Sequence, residues 1–283
     1  MLGASFFFAL MAASSKWLSR DFSTVQQVFF RNLIGVVYVL LSIWRVPMVH
    51  KGGKMTLLVF RGVIGTISLY LLFYAISTLG LGQAITYQYT YPIFLSLFSW
   101  LLIGEKLTGR EWAAILTGFI GILLIFRPDM HLTAREHIIG LGNAILTSFA
   151  YLSIRQLSGY YDTRAIVLSF MLSGIVLPAL SMIAGTFLGT IPGWEFLLGT
   201  FQWPENLTQW LVILSLGVTA LIGQFMMTMA FQYGKAGQVA AVSYSNIIFS
   251  LLFGIALGEG IPSMIVLSGI FLIITGGIMV ARK

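Results

Sequence analysis

The chain has 283 residues, of which 58% are hydrophobic and 9% charged, with a mean hydropathy of +0.93. A soluble domain carries about 25% charged residues, so a soluble enzyme, a nucleic-acid-binding module and a disordered chain are excluded, and a polytopic integral membrane protein is left. In such a protein the net charge of +7, from 16 Lys+Arg against 9 Asp+Glu, reports orientation in the bilayer rather than a polyanionic partner.

A bilayer core of ~30 Å takes ~20 apolar residues of helix. In chain order the sequence offers ten such stretches, at 2–16, 25–44, 57–77, 84–103, 112–126, 137–158, 163–188, 209–231, 238–257 and 264–280. Short breakers separate most of them, among them Arg20-Asp21, Pro47 to Lys54, Gly104-Glu105-Lys106, Arg127-Pro128-Asp129 and Gly234-Lys235. Only the separator at 189–208 is long. The first stretch is expected to be a span rather than a signal peptide, because it lacks a basic n-region and Lys16 follows rather than precedes its apolar run. With both ends inside, the cytoplasmic side collects Arg45, Lys51, Lys54, Arg61, Lys106, Arg110, Arg155, Arg164, Lys235, Arg282 and Lys283. Lys16, Arg20, Arg127 and Arg135 fall outside, and eleven against four predicts an N-in/C-in topology.

The chain repeats itself. Leu2-Gly3 and Ser14 to Ser19 match Leu141-Gly142 and Ser153 to Ser158 at an offset of 139, which also pairs Gly35 with Gly174. Gly82-Gln83, Tyr89, Gly121 and Arg127 match Gly237-Gln238, Tyr244, Gly276 and Arg282 at an offset of 155. The difference of 16 residues falls on the long separator at 189–208. The expected organisation is two copies, 1–130 and 136–283, of five spans each. An odd number of spans inverts the second copy relative to the first, a pattern of secondary transporters with a substrate site between the halves.

Further residues point to a family. Phe30-Arg31 opens the second stretch, Tyr91-Pro92-Ile93-Phe94 is followed by Leu102-Ile103-Gly104-Glu105-Lys106-Leu107-Thr108, and Gly118 leads to Arg127-Pro128. Gly258-Glu259 and Gly276 to Arg282 repeat parts of this pattern, although Ile247 stands where the proline would be and Glu259-Gly260-Ile261-Pro262 departs from E-K-L-T. On these residues the chain resembles the drug/metabolite transporter superfamily, in its EamA-type ten-helix branch, over essentially its whole length. The resemblance implies an all-α, 5+5 inverted-repeat transporter of a bacterial inner membrane. Its central cavity would be lined by the first, third, fourth, sixth, eighth and ninth helices. It also implies movement of amino acids, nucleotide-like or other small metabolites, with export the expected direction.

Polar residues inside spans are costly unless they face protein or water, so stripes at helical spacing mark the pathway. The third span carries Thr66, Tyr70, Tyr74 and Ser77, and the fourth carries Tyr87 and Tyr91 with Gln88 beside them. The sixth has Asn143, Thr147, Tyr151 and Arg155, the eighth Gln224, Thr228 and Gln232, and the ninth Ser243, Asn246 and Ser250. The predicted substrate-binding set is Arg31, Tyr70, Tyr74, Tyr87, Gln88, Tyr91, Asn143, Tyr151, Gln224, Thr228, Ser243 and Asn246. Two readings of Arg31 are open. It holds a substrate carboxylate or phosphate bidentately, or it snorkels outward or bonds helix-end carbonyls from a span beside the cavity. Lys16 and Arg155 read as interfacial anchors, and Glu105 and Glu259 as caps or ion-pair partners at span ends. The fifth and tenth spans, nearly free of polar side chains, are expected to face lipid or each other's copy. Gly62, Gly65, Gly80, Gly82, Gly234 and Gly237 are candidate hinge or close-approach sites.

No Asp or Glu lies within a span, which disfavours proton-coupled cation export through an intramembrane carboxylate. An arginine with amide and tyrosine groups suits a neutral, zwitterionic or anionic metabolite. The alternatives are a passive channel, or a transporter of organic cations or nucleobases. Motifs of intramembrane or nucleotide-driven enzymes are absent from the sequence, and His50, His131 and His137 form no ligand spacing. The chain therefore reads as a non-enzyme needing no metal or cofactor. Its expected partners are a small-molecule substrate and the lipid bilayer, with no nucleic acid, in a monomer or weak homodimer.

Overall fold

The computed structural model describes residues 1–49, 51–79, 81–104, 106–126, 133–189, 191, 197–256 and 263–281, and among them there are helices and no strands. Glu105, Glu259, Arg127, Arg282, Lys283, Gly80, His50 and His131, all named above, lie outside the described residues. The helices are α1 (Leu2–Leu18), α2 (Thr24–Arg45), α3 (Met55–Leu79), α4 (Leu81–Gln88), α5 (Tyr91–Phe98) and α6 (Gly109–Phe126). They continue as α7 (Ala134–Leu157), α8 (Thr163–Leu188), α9 (Leu207–Tyr233), α10 (Ala236–Ser243), α11 (Ser245–Ala256) and α12 (Met264–Ala281). Six helical runs among the described residues are long and apolar enough to cross a bilayer: Thr24–Arg45, Met55–Thr78, Ala134–Leu157, Thr163–Leu188, Leu207–Tyr233 and Ala236–Phe253. Leu2–Leu18, Tyr91–Ile103 and Leu267–Gly276 are shorter apolar helices. The protein is a multi-pass membrane protein.

Local chemistry sets the helix starts. Ser23, Asp162 and Asn206 cap α2, α8 and α9 by accepting the backbone N–H of Gln26, Arg164 and Gln209. Thr133 and Glu136 form a reciprocal capping box at α7. Two of the predicted stretches are broken rather than continuous. The stretch at 84–103 divides into α4 and α5, with Tyr89 and Thr90 between them. Pro92 lacks an N–H and its ring excludes a helical carbonyl four residues earlier, so a straight helix cannot pass. The Thr90 hydroxyl and backbone N–H both donate to the Tyr87 carbonyl, at 2.7 and 3.0 Å. In the matching stretch at 238–257, where Ile247 stands at the position of the proline, the break narrows to Tyr244 alone, and Ser243 donates to Ala240 at 2.5 Å. Beyond α5 the chain takes one wide π turn over Ser99–Ile103 and stops at Gly104, whose φ of 75° is left-handed.

The outer surface is apolar: Val37, Leu40, Leu41, Leu180, Ile183, Leu211, Leu214 and Phe271 are all exposed. Polar side chains are turned inward, with Gln26, Asn32, Thr66, Asn143, Ser148, Gln224 and Thr228 buried. Such an inside-out distribution matches lipid outside and protein or a water-filled space inside.

Helix pairs meet at glycines, and the contacts come in exchanged pairs. Across α6 and α12, a Cβ on Gly121 would lie 2.6 Å from the Gly269 carbonyl oxygen, and one on Gly276 would lie 2.8 Å from that of Ala114. Across α2 and α8, Gly35 faces Met171 while Gly174 faces Asn32. Gly62 of α3 faces Ser173 of α8, and Gly217 of α9 faces Ile34 of α2. Gly3 meets Met226 and Gly142 meets Leu71. In every case the second contact is the first with both residues moved by 139 or 155 positions. α6 and α12 thus lie against one another and turn Leu116, Ile120, Leu267 and Phe271 outward, as their lack of polar side chains predicts.

Candidate functional site

An internal cavity of about 130 Å³ opens where the broken helices meet α1, α3, α7 and α9. Ser5, Phe8 and Met11 line it from α1, and Arg61, Gly65, Ser68, Leu72 and Phe73 from α3. Gln88, Tyr89 and Tyr91 come from the first break, Thr147, Ala150 and Tyr151 from α7, Gln224 from α9, and Ser243 and Asn246 from the second break. α2 and α8 each add one residue, Arg31 and Phe170.

The breaks place the polar wall. Tyr91, at the start of α5, donates its hydroxyl hydrogen to Ser243 at the end of α10, so the two interruptions are tied directly across the cavity. Asn246 donates to the Ser5 carbonyl, and Ser5 donates to that of Ser243 at 3.4 Å. In a second cluster Ser68 donates to Asn143 Oδ1 at 2.9 Å, Thr147 does the same at 3.2 Å, and Asn143 donates to Gln88. Tyr151 stands edge-on to Tyr91 with ring centroids 5.1 Å apart. A satisfied polar network of this kind fixes the geometry of the wall.

The strongest charges are two arginines. Arg31 is only 3% exposed and Arg61 1%. Arg31 Nε donates to Met11 Sδ at 3.3 Å and a terminal nitrogen reaches Asn32 Oδ1 at 3.3 Å. The Arg61 Nε is buried without a hydrogen-bond partner among the described residues. Both guanidinium carbons lie over the Phe170 ring, at 5.2 Å for Arg31 and 4.7 Å for Arg61. Arg31 and Arg61 are like charges near enough to repel one another. No carboxylate lines the cavity among the described residues.

Of the twelve residues predicted from sequence, Arg31, Gln88, Tyr91, Tyr151, Gln224, Ser243 and Asn246 reach the cavity. Arg31 is buried and turned inward onto Met11 and Asn32 rather than outward. Asn143 and Thr228 sit one layer behind, holding Gln88 and Gln224. Three tyrosines lie elsewhere. Tyr70 is buried in the apolar cluster shared with α2, α8 and α9. Tyr74 accepts a hydrogen bond from Arg135 at 2.9 Å, and Tyr87 is bonded to His137 Nδ1. The reason is which face of α3 and α4 the neighbours cover. Thr66 and Ser77, expected with Tyr70, donate to carbonyls of their own helix instead.

Sequence reasoning missed Arg61, Ser5, Ser68 and Tyr89. Arg61 counts among the cytoplasmic cations by position, yet it stands well inside α3 with its side chain folded over Gly65, where a Cβ would lie 2.2 Å from its Nη1. The readable signal was its place inside the predicted stretch at 57–77 with glycine four residues on, which gives a long side chain room along its own helix. Arg155, read as an anchor, donates to the Gln232 carbonyl at 3.0 Å. Gly62, a proposed hinge, is closely packed: a Cβ there would lie 2.5 Å from the Ser169 carbonyl oxygen.

Comparison with known proteins gives one family. Residues 1–127 match the model described as the EamA-like transporter family. Over 282 residues the chain is 31% identical to the pseudopaline exporter CntI of Pseudomonas aeruginosa, covering 99% of this chain and 93% of that one. It is 30% identical to an uncharacterised transporter of Helicobacter pylori over 285 residues, with the same coverage of 99% and 93%. Solute carrier family 35 member G1 of Mus musculus is 28% identical over 75% of this chain and 57% of its own length. One solved crystal structure, 19% identical, superposes with a TM-score of 0.78 over 99% of this chain and 95% of the other, and shares the fold.

Proposed function

The chain belongs to the EamA-like transporter family of the drug/metabolite transporter superfamily, and on that premise we propose that it exports a small anionic or zwitterionic metabolite by alternating access. The observation that carries the substrate charge is the pair Arg31 and Arg61, both buried and both facing a cavity lined by no described carboxylate. A cationic substrate would meet repulsion there, while an anion supplies what the guanidiniums lack. The export by the Pseudomonas relative supports the direction. The bacterial inner membrane is the proposed location, with a monomer or weak homodimer as the assembly.

The architecture proposed is ten spans in two inverted copies of five, with α4–α5 and α10–α11 each counted as one broken span. The exchanged glycine contacts support it, because a residue i meeting j′ while i′ meets j is the signature of a two-fold relation. Discontinuous helices at the centre are also where secondary transporters bind their cargo. With Arg61 inside the protein, ten cytoplasmic cations still face four outside, which supports N-in/C-in.

The test is counterflow in liposomes. Purified protein loaded with an unlabelled organic acid or amino acid should accumulate the labelled form against its gradient, and quaternary ammonium compounds should not move. Flux of quaternary ammonium alone would overturn the charge assignment, and flux without counterflow would make the protein a channel.

A further inference from the structure

Resting on the reading of the cavity as a transport site, we propose that Arg31 and Arg61 form a two-point receptor for a short dicarboxylate. The two guanidinium carbons lie within 5.2 and 4.7 Å of one ring centroid, that of Phe170. Their separation is therefore at most the sum of these distances, a span that one small ligand bridges. Neither cation has a carboxylate partner among the described residues, and Arg61 Nε has no partner of any kind there. One carboxylate would neutralise one guanidinium and leave the other buried and charged. A ligand carrying two neutralises both, and its second carboxylate arrives at the high effective concentration that tethering gives.

The cavity limits the rest of the ligand. At about 130 Å³ it is slightly smaller than an engineered 150 Å³ cavity that holds benzene, which sets a carbon skeleton of about four to six atoms. Phe170 lies against both guanidiniums and carries no polar atom, so it does not compete with them for the carboxylates. Tyr91, Tyr151 and Ser243 add polar groups to the lining.

The receptor belongs to one half of the chain. Moved by the repeat offsets of 139 and 155, Arg31 falls on Phe170 and Arg61 on Leu216, so the second half carries neither cation. Helix packing is exchanged between the halves while this charge is not. One half therefore holds the anion in both orientations of the carrier.

The experiment compares ligands on the purified full-length protein by thermal unfolding in buffer without other organic anions. Succinate and glutarate should stabilise at concentrations about ten- to a hundredfold lower than butyrate, the yield of one more charge-assisted pair. In Arg31→Gln and in Arg61→Gln the dicarboxylate should fall to the level of the monocarboxylate. Equal potency of succinate and butyrate on the native protein, a comparison that needs no variant, overturns the two-point site and leaves an anion transporter standing. A dicarboxylate preference that survives both substitutions also overturns it. If neither class stabilises the protein while zwitterions do, the two-point site fails and the transporter reading survives. If amino acids fail too and only quaternary ammonium does so, both fall.

Discussion

Arg61→Met should make the protein more stable and less functional at once. Methionine keeps an unbranched side chain that can lie over Gly65 and against the Phe170 ring, but it carries no charge. In the native protein Arg61 is 1% exposed and its Nε has no partner among the described residues, while Arg31 repels it across Phe170. Replacing buried ionic groups by packed apolar ones stabilises proteins by about 1–4 kcal/mol. The variant gives up the cation–π contact at 4.7 Å, about 1 kcal/mol, and regains most of it as a sulfur–aromatic contact. The net expectation is about 1–3 kcal/mol in favour of the variant, or several degrees in Tm. The assay is thermal unfolding of detergent-purified protein without organic anions, alongside transport in liposomes. Transport should be lost and the benefit of added dicarboxylate should vanish with it, a trade between stability and activity. A lower Tm for Arg61→Met in that buffer would refute the reasoning, because the guanidinium would then have to be held by partners that its surroundings do not show.

The remaining expectations test the scaffold, the network and the cycle. Gly121→Ala puts a Cβ 2.6 Å from the Gly269 carbonyl oxygen, a backbone atom that cannot swing aside, so α6 and α12 must part at a cost of about 1–3 kcal/mol. Gly276→Ala should cost similarly, and the double variant should lose less than the sum because the interface parts only once, which a double-mutant cycle of unfolding measures. Asn143→Ala removes the acceptor that Ser68 and Thr147 share and leaves Gln88 Oε1 without its donor, while the Ser68–Thr147 hydrogen bond remains, and unfolding should register a loss of about 1–3 kcal/mol. Reorienting an empty cavity carries two bare guanidiniums through the occluded state, so exchange of labelled for unlabelled substrate should outrun net efflux. Equal rates, measured as the absence of trans-stimulation, would contradict that.

Some of this protein is written in its sequence by physical necessity. A chain with so few charges has no water-facing exterior to build, and residue matches at two offsets with a long separator between them are what lead to the proposal of two copies. Gln88, Tyr91, Gln224, Ser243 and Asn246 were also legible, because amides and hydroxyls deep in apolar helices have few places to go other than inward. The rest was decided by packing. On α3 the cavity face is Arg61, Gly65, Ser68 and Leu72, which follows helical spacing but carries little polar pattern, whereas the more polar row of Thr66, Tyr70 and Ser77 faces elsewhere. Helical periodicity names the faces of a helix without saying which one a neighbour will cover. Arg61 shows the difference most clearly: an arginine two turns from a helix start reads as a loop cation, and only the room over Gly65 and the ring of Phe170 turn it into the cavity. Composition and periodicity thus determined that a polar interior exists in this membrane protein, and the tertiary contacts of glycine, proline and phenylalanine decided which charges it holds.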